Sequence, residues 1–442
     1  MAAPIPLDDL RGFVSECQER RVGPILCERL AIVRHRYTSF FKGYDEREKV
    51  YGLNTFPGHR EGETPTVDYV ANYQTDLIEN HCLPTGDYFP ETTGIFVSFA
   101  KAYSISFGGT LVSDRFFELL LGLLGEPTYS PSIPRDLSYS SGDVVPGAHW
   151  SRQTLALLPD YRLQAGEGMA LINGAFVHVG AAAWIFTLLN SDWLRFVSNT
   201  CRFHSLFPVR RVAPWPSDGS MLPDLFRLIH DGAPEAVDDT QGRVSMRSSN
   251  EIIAAYSGAL SELALEIQTG LMKSTGNPLI FEGQGKIDVA PSGSFVNPAL
   301  ALAQGKLIDA LLMVAWFVTR RVDYVLSGEI ECISRDFASD ENPLGLIQWP
   351  KIAKARLERM RLRHARRVFV SGDSTSHGIE DFWTNGLNLV AELEAIRQDF
   401  DALLQMEEHV IRAASVGDVD VDLCASSGKL FREAELAAFS FL

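Results

Sequence analysis

The strongest constraint on the fold of this chain is a helical periodicity that runs through most of its second half. Apolar side chains recur every three or four residues in one segment, at Tyr256, Leu260, Leu263, Ile267 and Leu271. A longer segment repeats the pattern at Leu389, Leu393, Ile396, Phe400, Leu403 and Val410. Such spacing forms an apolar stripe along a helix, and another apolar surface must cover it. Together with the apolar residues 299–318 and the basic residues 350–367, these segments predict a bundle of long helices.

The first part of the chain has a different pattern. Shorter amphipathic segments alternate there with loops that contain glycine and proline. We therefore expect a mainly α fold with two domains. Residues 186–442 form the elongated bundle of long helices, and residues 1–185 form a smaller, loop-rich α+β region.

Composition narrows the class of protein further. The chain has 442 residues, of which 46% are hydrophobic and 22% charged, so it can bury a large core. Its net charge of -16 argues against non-specific binding to nucleic acid or to an anionic membrane. The six cysteines include no Cys-x-x-Cys pair, and the first ten residues lack a signal-peptide pattern. We expect a cytoplasmic protein without a metal site.

Two apolar stretches have the length of a membrane span, residues 170–189 and 299–318. The first contains Asn173 and His178, and the second contains Lys306 and Asp309. Polar and charged groups are rare in the centre of a spanning helix. Both stretches are therefore expected to be core helices of the fold.

The tripeptide Ser140-Ser141-Gly142 is a candidate for self-modification of the backbone. The nitrogen of Gly142 can attack the carbonyl of Ser140, because glycine tolerates the geometry of a tight five-membered ring. Loss of two waters, one of them from the Ser141 side chain, then leaves an exocyclic methylidene, which is an uncharged electrophile. Serine and glycine also cluster in ordinary turns, which is the alternative for this tripeptide taken alone.

Three further side chains lie in segments that are suited to a site. Tyr51 lies in a loop with two glycines and a proline, Asn173 opens an apolar helix, and Arg247 follows a long proline-rich segment. Each has a structural alternative. A tyrosine in a turn often only packs its ring, a buried asparagine usually bonds backbone groups, and most arginines are solvated at the surface.

Taken together, these segments resemble the histidine and aromatic amino-acid ammonia-lyase family, whose members carry a 4-methylidene-imidazol-5-one (MIO) group. The similar segments occur in the family's order at residues 50–55, 140–149, 167–174, 241–247, 275–281 and 380–381. The resemblance implies a mostly helical fold. It also implies a homotetramer whose active sites draw loops from several subunits.

The resemblance also implies roles for the site residues. The MIO group would form autocatalytically from Ser140, Ser141 and Gly142, and the amino group of the substrate would add to the methylidene at Ser141. Tyr51 would remove a β-proton as general base. Arg247 would hold the substrate carboxylate. No metal or nucleotide is implied.

Further residues would bind the substrate or the electrophile. Asn173 and Gln241 would form hydrogen bonds to either of them, and Phe295 would wall the pocket. Asn80 and His81 stand where family members contact the ring of the substrate. With Glu380 they favour a polar aromatic or histidine-like α-amino acid. An ammonia-lyase and a 2,3-aminomutase use the same residues, so the sequence leaves both open.

The chain departs from the family pattern at several positions. Tyr139 replaces the glycine before the tripeptide, and Val244 replaces the second tyrosine of the segment that contains Arg247. Two alternatives therefore remain. The first is a lyase-fold enzyme that has lost the MIO group and performs another elimination, addition or cyclisation. The second is a non-catalytic homologue that binds a ligand or a partner.

Overall fold

The computed structural model describes residues 10–66, 69–139, 141–207, 243–283, 285–330, 333–365 and 373–415. Helices dominate the described residues, which confirms the mainly α fold. The helices are α1 (Leu10–Glu19), α2 (Pro24–Glu28), α3 (Leu30–Gly43), α4 (Val70–Asn80), α5 (Thr92–Ser106), α6 (Asp114–Leu124), α7 (Val144–Ala156), α8 (Glu167–Ile172), α9 (Phe176–Leu206), α10 (Val244–Arg247), α11 (Ser249–Leu271), α12 (Pro298–Val325), α13 (Trp349–Ala365) and α14 (Gly386–Ser415). Ser140, Gln241 and most of the proline-rich segment lie outside the described residues.

The strands lie elsewhere than the sequence suggested. β1 (Leu279–Gly283) and β2 (Lys286–Ala290) form an antiparallel pair, in which Leu279 is opposite Ala290. Gly285, with a φ of +79°, provides the left-handed backbone that a tight hairpin turn favours. Among the described residues of the N-terminal region, only isolated bridges occur, so the assignment of strands to that region was wrong.

The chain divides into two compact units. The first comprises Met1–Thr187, Leu263–Gln304 and Val368–Ala391, and the second comprises Leu188–Glu262, Gly305–Arg367 and Glu392–Leu442. The boundary predicted after residue 185 lies next to the end of the first of these stretches. The first unit also takes in two later stretches, which the sequence analysis assigned to the helical bundle.

Helices α4, α7 and α8 pack around one apolar cluster in the first unit. Its buried residues are Tyr73, Leu77, Ile78, Val144, Val145, Ala148, Met169 and Ile172. Burying a large apolar side chain contributes about 1.5–3 kcal/mol, so this cluster fixes the three helices against each other. Because α7 begins directly after Gly142 and Asp143, the cluster also fixes the end of the tripeptide.

Of the two apolar stretches with the length of a membrane span, residues 299–318 lie within α12, and residues 170–189 comprise the end of α8 and the start of α9. By length and composition, Glu167–Leu206 and Pro298–Val325 could each cross a membrane. Their most apolar windows are 100% and 67% buried inside the protein. This burial agrees with the expectation that they are core helices.

Candidate active site

The tripeptide loop brings Gly142 against Asn173. Ser141 is buried, and Gly142 has a φ of +70°, in the region that favours glycine. A Cβ atom on Gly142 would lie 2.8 Å from Nδ2 of Asn173. Only glycine therefore allows the carboxamide to approach the backbone this closely.

Asn173 is held by its own backbone surroundings at the end of α8. The amide of the next residue, Gly174, donates a hydrogen bond of 3.1 Å to the carbonyl of Gly142. Among the described residues, the side-chain Oδ1 of Asn173 is buried without a hydrogen-bond partner. A buried, unpaired acceptor is costly in a folded protein, and such atoms often mark a functional site. Oδ1 of Asn173 is therefore available to accept a hydrogen bond beside the backbone of Gly142.

Lys101 supports the segment that carries Asn173. It is fully buried on α5, and its Nζ donates to the carbonyl of Ala170 at 2.5 Å and to that of Asn173 at 3.5 Å. The ammonium also lies 4.1 Å from the ring centre of Phe176. Burial lowers the pKa of Lys101 from an ordinary value of 10.5 to about 7. Lys101 was not predicted as a site residue, although it is the one cation within the apolar residues 94–107.

We expect Lys101→Met to remove a pH dependence of stability. Between the folded-state pKa of about 7 and the unfolded-state value of 10.5, the unfolded chain binds a proton that the folded chain does not. The free energy of unfolding of the wild type should therefore rise with pH in that window, relative to the variant. Denaturant midpoints across the window test this. If the free energy of unfolding differed between the wild type and the variant by the same amount at every pH, the expectation would be contradicted. Lys286→Met, at an exposed position, is the control.

Tyr51 lies in a loop beside this segment. Its ring packs against the apolar cluster of the first unit, and its Oη accepts a hydrogen bond of 3.4 Å from the amide of Gly58. Burial raises the pKa of Tyr51, and the negative charges of Glu380 and Glu61 raise it further, while the bond from Gly58 lowers it. Within the described residues the balance favours the neutral phenol.

Glu380 approaches Tyr51 from a second loop. The hydroxyls of Thr375 and Ser376 donate to Oε2 of Glu380 at 2.5 and 3.0 Å. The loop of Glu380 packs on the loop of Tyr51, with the rings of His59 and His377 4.6 Å apart. The carboxylate of Glu380 is therefore held in place, where its charge acts on the phenol of Tyr51.

Tyr139, which replaces a glycine of the family pattern, packs against the same apolar cluster as Tyr51. Its ring meets that of Trp383 edge to face, with 6.3 Å between the ring centres. Burial raises the pKa of Tyr139 strongly, and the negative charges of Glu380 and Asp143 raise it further. Tyr139 is therefore a neutral phenol. It lies within the range of electrostatic interaction with Tyr51, Glu380 and Asp143.

Asn80 and His81 both interact with the end of their own helix. Nδ2 of Asn80, which is exposed, donates to the carbonyl of Asp76 at 2.8 Å. Nδ1 of His81 lies 2.6 Å from the carbonyl of Leu77, so that nitrogen is the donor. In the neutral ring this leaves Nε2 of His81 as an acceptor for another group.

The other predicted site residues are placed as follows. Arg247 is half-buried at the end of α10 in the second unit. Phe295 is half-buried in the turn after β2, where Ser294 accepts a hydrogen bond from the amide of Gly276 at 3.1 Å. Ser140 and Gln241 lie outside the described residues.

The described residues around the tripeptide fit an MIO group. The left-handed Gly142 provides the backbone that a five-membered ring needs, and the unpaired Oδ1 of Asn173 provides an acceptor beside it. No cluster of three or more histidine, cysteine or acidic side chains suited to a metal occurs among the described residues.

Known proteins resemble this chain in sequence and in fold. A family model described as aromatic amino acid lyase matches residues 213–419. A probable histidine ammonia-lyase of Halobacterium salinarum is 25% identical over 438 residues, which cover 88% of this chain and 80% of that protein. The structure of a Pantoea agglomerans phenylalanine aminomutase matches with a TM-score of 0.79 at 17% identity, over 98% of this chain and 92% of that one. The structure of a Treponema denticola ergothionase matches with a TM-score of 0.80 at 16% identity, over 94% of this chain and 89% of that one.

The family model and the sequence relatives support membership of the histidine and aromatic amino-acid ammonia-lyase family. The chain is an enzyme of the ammonia-lyase or aminomutase type. The resemblance drawn from the separated segments is therefore confirmed. The tripeptide loop, Asn173, Tyr51 and Glu380 all lie in the first unit.

Two residues near the tripeptide were missed as members of the site. Lys101 and His178 both occur in apolar stretches of sequence, and neither was predicted to belong to the site. A lone polar group in such a stretch must find a partner inside the fold. That requirement is the signal that could have identified them.

Proposed function

We propose that this enzyme is an MIO-dependent ammonia-lyase or 2,3-aminomutase that acts on a polar aromatic or histidine-like α-amino acid. The close approach of the Asn173 carboxamide to the left-handed Gly142 carries the proposal, because that backbone suits a five-membered ring and the carboxamide can bond to it. The ring would supply an electrophile that makes the amino group of the substrate a better leaving group.

Residues of this chain are proposed to bind the substrate and move its protons. Asn173 donates or accepts a hydrogen bond beside the ring, and Tyr51 takes the β-proton. Because Glu380 and burial disfavour the phenolate of Tyr51, a positive charge must offset them during the reaction. The substrate ammonium supplies one such charge. Arg247 is proposed to hold the substrate carboxylate and to fix which β-proton faces the base.

The choice of substrate is supported by polar groups and by a relative. Nε2 of His81 is free of its own helix, and Glu380 is an anchored carboxylate. Both suit a ring that carries a nitrogen or a hydroxyl, with Asn80, Gln241 and Phe295 as the remaining contacts. The matched relative from Halobacterium salinarum bears the name of a histidine ammonia-lyase. We propose a cytoplasmic homotetramer with active sites shared between subunits.

The mass of the intact chain tests the ring directly. Wild-type protein should be lighter than its sequence by about 36 Da, the mass of two waters, and Ser141→Ala should retain the full calculated mass. Ser141→Ala should also lose ammonia release while it folds normally. A wild-type chain at its full calculated mass would refute the MIO proposal.

Two further measurements separate the alternatives. The products distinguish a lyase, which releases ammonia and an unsaturated acid, from an aminomutase, which yields a β-amino acid. Tyr51→Phe should keep the mass loss and reduce turnover by about a hundredfold or more. If Tyr51→Phe changed neither turnover nor ligand affinity, a non-catalytic homologue would be favoured.

A further inference from the structure

The two ends of the tripeptide segment are joined by side chains that have no role in the proposed chemistry. Ser138 precedes the tripeptide, and Asp143 follows it. Oγ of Ser138 donates to Oδ1 of Asp143 at 2.5 Å. This hydrogen bond therefore links residue 138 to residue 143 across the tripeptide.

Two helices anchor this closed loop. Nδ1 of His178, on α9, lies 2.6 Å from Oδ2 of Asp143, and both side chains are almost fully buried. An ionised carboxylate only accepts hydrogen bonds, so Nδ1 of His178 is the donor. Nδ2 of Asn388, on α14, donates to the carbonyl of Ser138 at 3.4 Å. We call Ser138, Asp143, His178 and Asn388 the loop clamp.

The clamp holds Asp143 in a left-handed backbone conformation. Its φ of +48° and ψ of +38° lie in a region that few residues adopt other than glycine, asparagine and aspartate. Both carboxylate oxygens are engaged, one by Ser138 and the other by His178. The carbonyl of Asp143 accepts from the amide of Gly147 and begins α7. The chain is therefore reversed sharply between the tripeptide and the helix.

We propose that the loop clamp brings the ends of the tripeptide together for ring closure, and that His178 is a positioning residue for this reaction. The inference rests on the proposed function, because it concerns how the ring of that function forms. Holding two reacting groups of one chain close together accelerates their reaction by pre-organisation. His178 achieves this through Asp143 and takes part in no bond change.

Ring closure balances without any other reactant. The nitrogen of Gly142 bonds to the carbonyl carbon of Ser140, and the carbonyl oxygen leaves as water with the amide protons of Ser141 and Gly142. A second water takes Oγ of Ser141 with its proton and the Cα proton of the same residue. Both steps are dehydrations, so neither needs an oxidant or a reductant.

Matched variants of His178 test the clamp by mass rather than by activity. His178→Leu removes the donor and keeps an apolar side chain, whereas His178→Asn keeps a donor that can reach Asp143. The full chain is made by cell-free synthesis, and intact mass is followed with time. We expect His178→Leu to lose the two waters roughly ten to a hundred times more slowly, the factor that one charge-assisted hydrogen bond represents. His178→Asn should restore most of the rate.

Controls separate the clamp from folding. His204→Leu removes a buried imidazole of the second unit, which bonds Ser249, and should form the ring at the wild-type rate. Unfolding temperatures show whether each variant folds. If His178→Leu does not fold, Ser138→Ala removes the bond across the loop while it leaves His178 in place, and it should also slow ring formation.

Each outcome decides between the two proposals. A wild-type chain that keeps its full mass overturns the proposed function and this inference with it. A wild type that loses two waters, beside folded His178→Leu and Ser138→Ala chains that lose them equally fast, overturns the clamp alone. Equal slowing by His178→Leu and His178→Asn also overturns it, because the hydrogen bond would then not matter.

Discussion

Gly142→Ala is expected to abolish both the loss of two waters and the release of ammonia. The added Cβ would lie 2.8 Å from Nδ2 of Asn173, a distance at which one of the two must move. Alanine at a φ of +70° also costs about 1–2 kcal/mol. Intact mass should show the unmodified chain, and turnover should fall by about a hundredfold or more.

Gly122→Ala is the matched control for this change. Gly122 lies on α6, and a Cβ there would meet no atom within 4 Å. Alanine is the better helix former, so the control should keep the mass loss and gain slightly in stability. The double variant Gly142→Ala with Asn173→Ala removes the contact of the added Cβ but keeps the backbone strain. Comparing its unfolding temperature with that of Gly142→Ala separates the two effects on stability. A Gly142→Ala chain that loses two waters as fast as the wild type would contradict the expectation.

The helical spacing of apolar residues predicted the long helices correctly, because the side chains at those spacings are the ones that become buried. Tyr256, Leu263 and Ile267, which were chosen by spacing alone, are all buried on α11. The strands were misplaced for the opposite reason. Residues 279–290 are only partly buried, and their pairing depends on a short turn at Gly285, which leaves little periodic signal.

The candidate site was only partly predictable, because its side chains are paired across long distances in sequence. Motifs located Tyr51, Asn173 and Gly142, each of which lies in a segment with its own pattern. The partner of His178, Asp143, is 35 positions away, and the partner of Lys101, Ala170, is 69 positions away. No local pattern links such pairs, since packing of the helices brings them together.

Asn80 and His81 illustrate a second limit. Their place in the sequence suggested substrate contacts, yet each side chain bonds a carbonyl at the end of α4. The last carbonyls of a helix lack partners within it, and a nearby polar side chain supplies one. Position in a motif does not reveal this competing local role. Their contact with substrate therefore stays a prediction.

The largest effect on stability is expected at a buried ion pair in the second unit. Arg321 and Glu407 are both fully buried, with Nε of Arg321 2.6 Å from Oε1 of Glu407. Burial lowers the pKa of Arg321 and raises that of Glu407, in each case as the largest influence. Desolvation therefore exceeds the stabilisation that each charge receives from the other. Removing one partner leaves the other charged and unpaired in the core.

We expect Arg321→Met or Glu407→Leu alone to lower the free energy of unfolding by about 3–5 kcal/mol. The double variant should cost much less than the sum, because it removes both charges. Its polar neighbours keep backbone partners, since Asn199 also donates to Leu404 and Thr200 to Phe196. Urea midpoints at one protein concentration give the comparison.

The exposed pair of Arg412 and Glu408 provides the contrast. The Arg412 side chain is 69% exposed, although the pair is 2.9 Å apart. Water screens such a pair, so Arg412→Ala should change the free energy of unfolding by about 0.5 kcal/mol or less. Additive costs in the double variant of Arg321 and Glu407 would show that the two residues stabilise the core independently. A double variant about as stable as the wild type would show that the large loss of stability arises only when one charge is removed and the other stays buried.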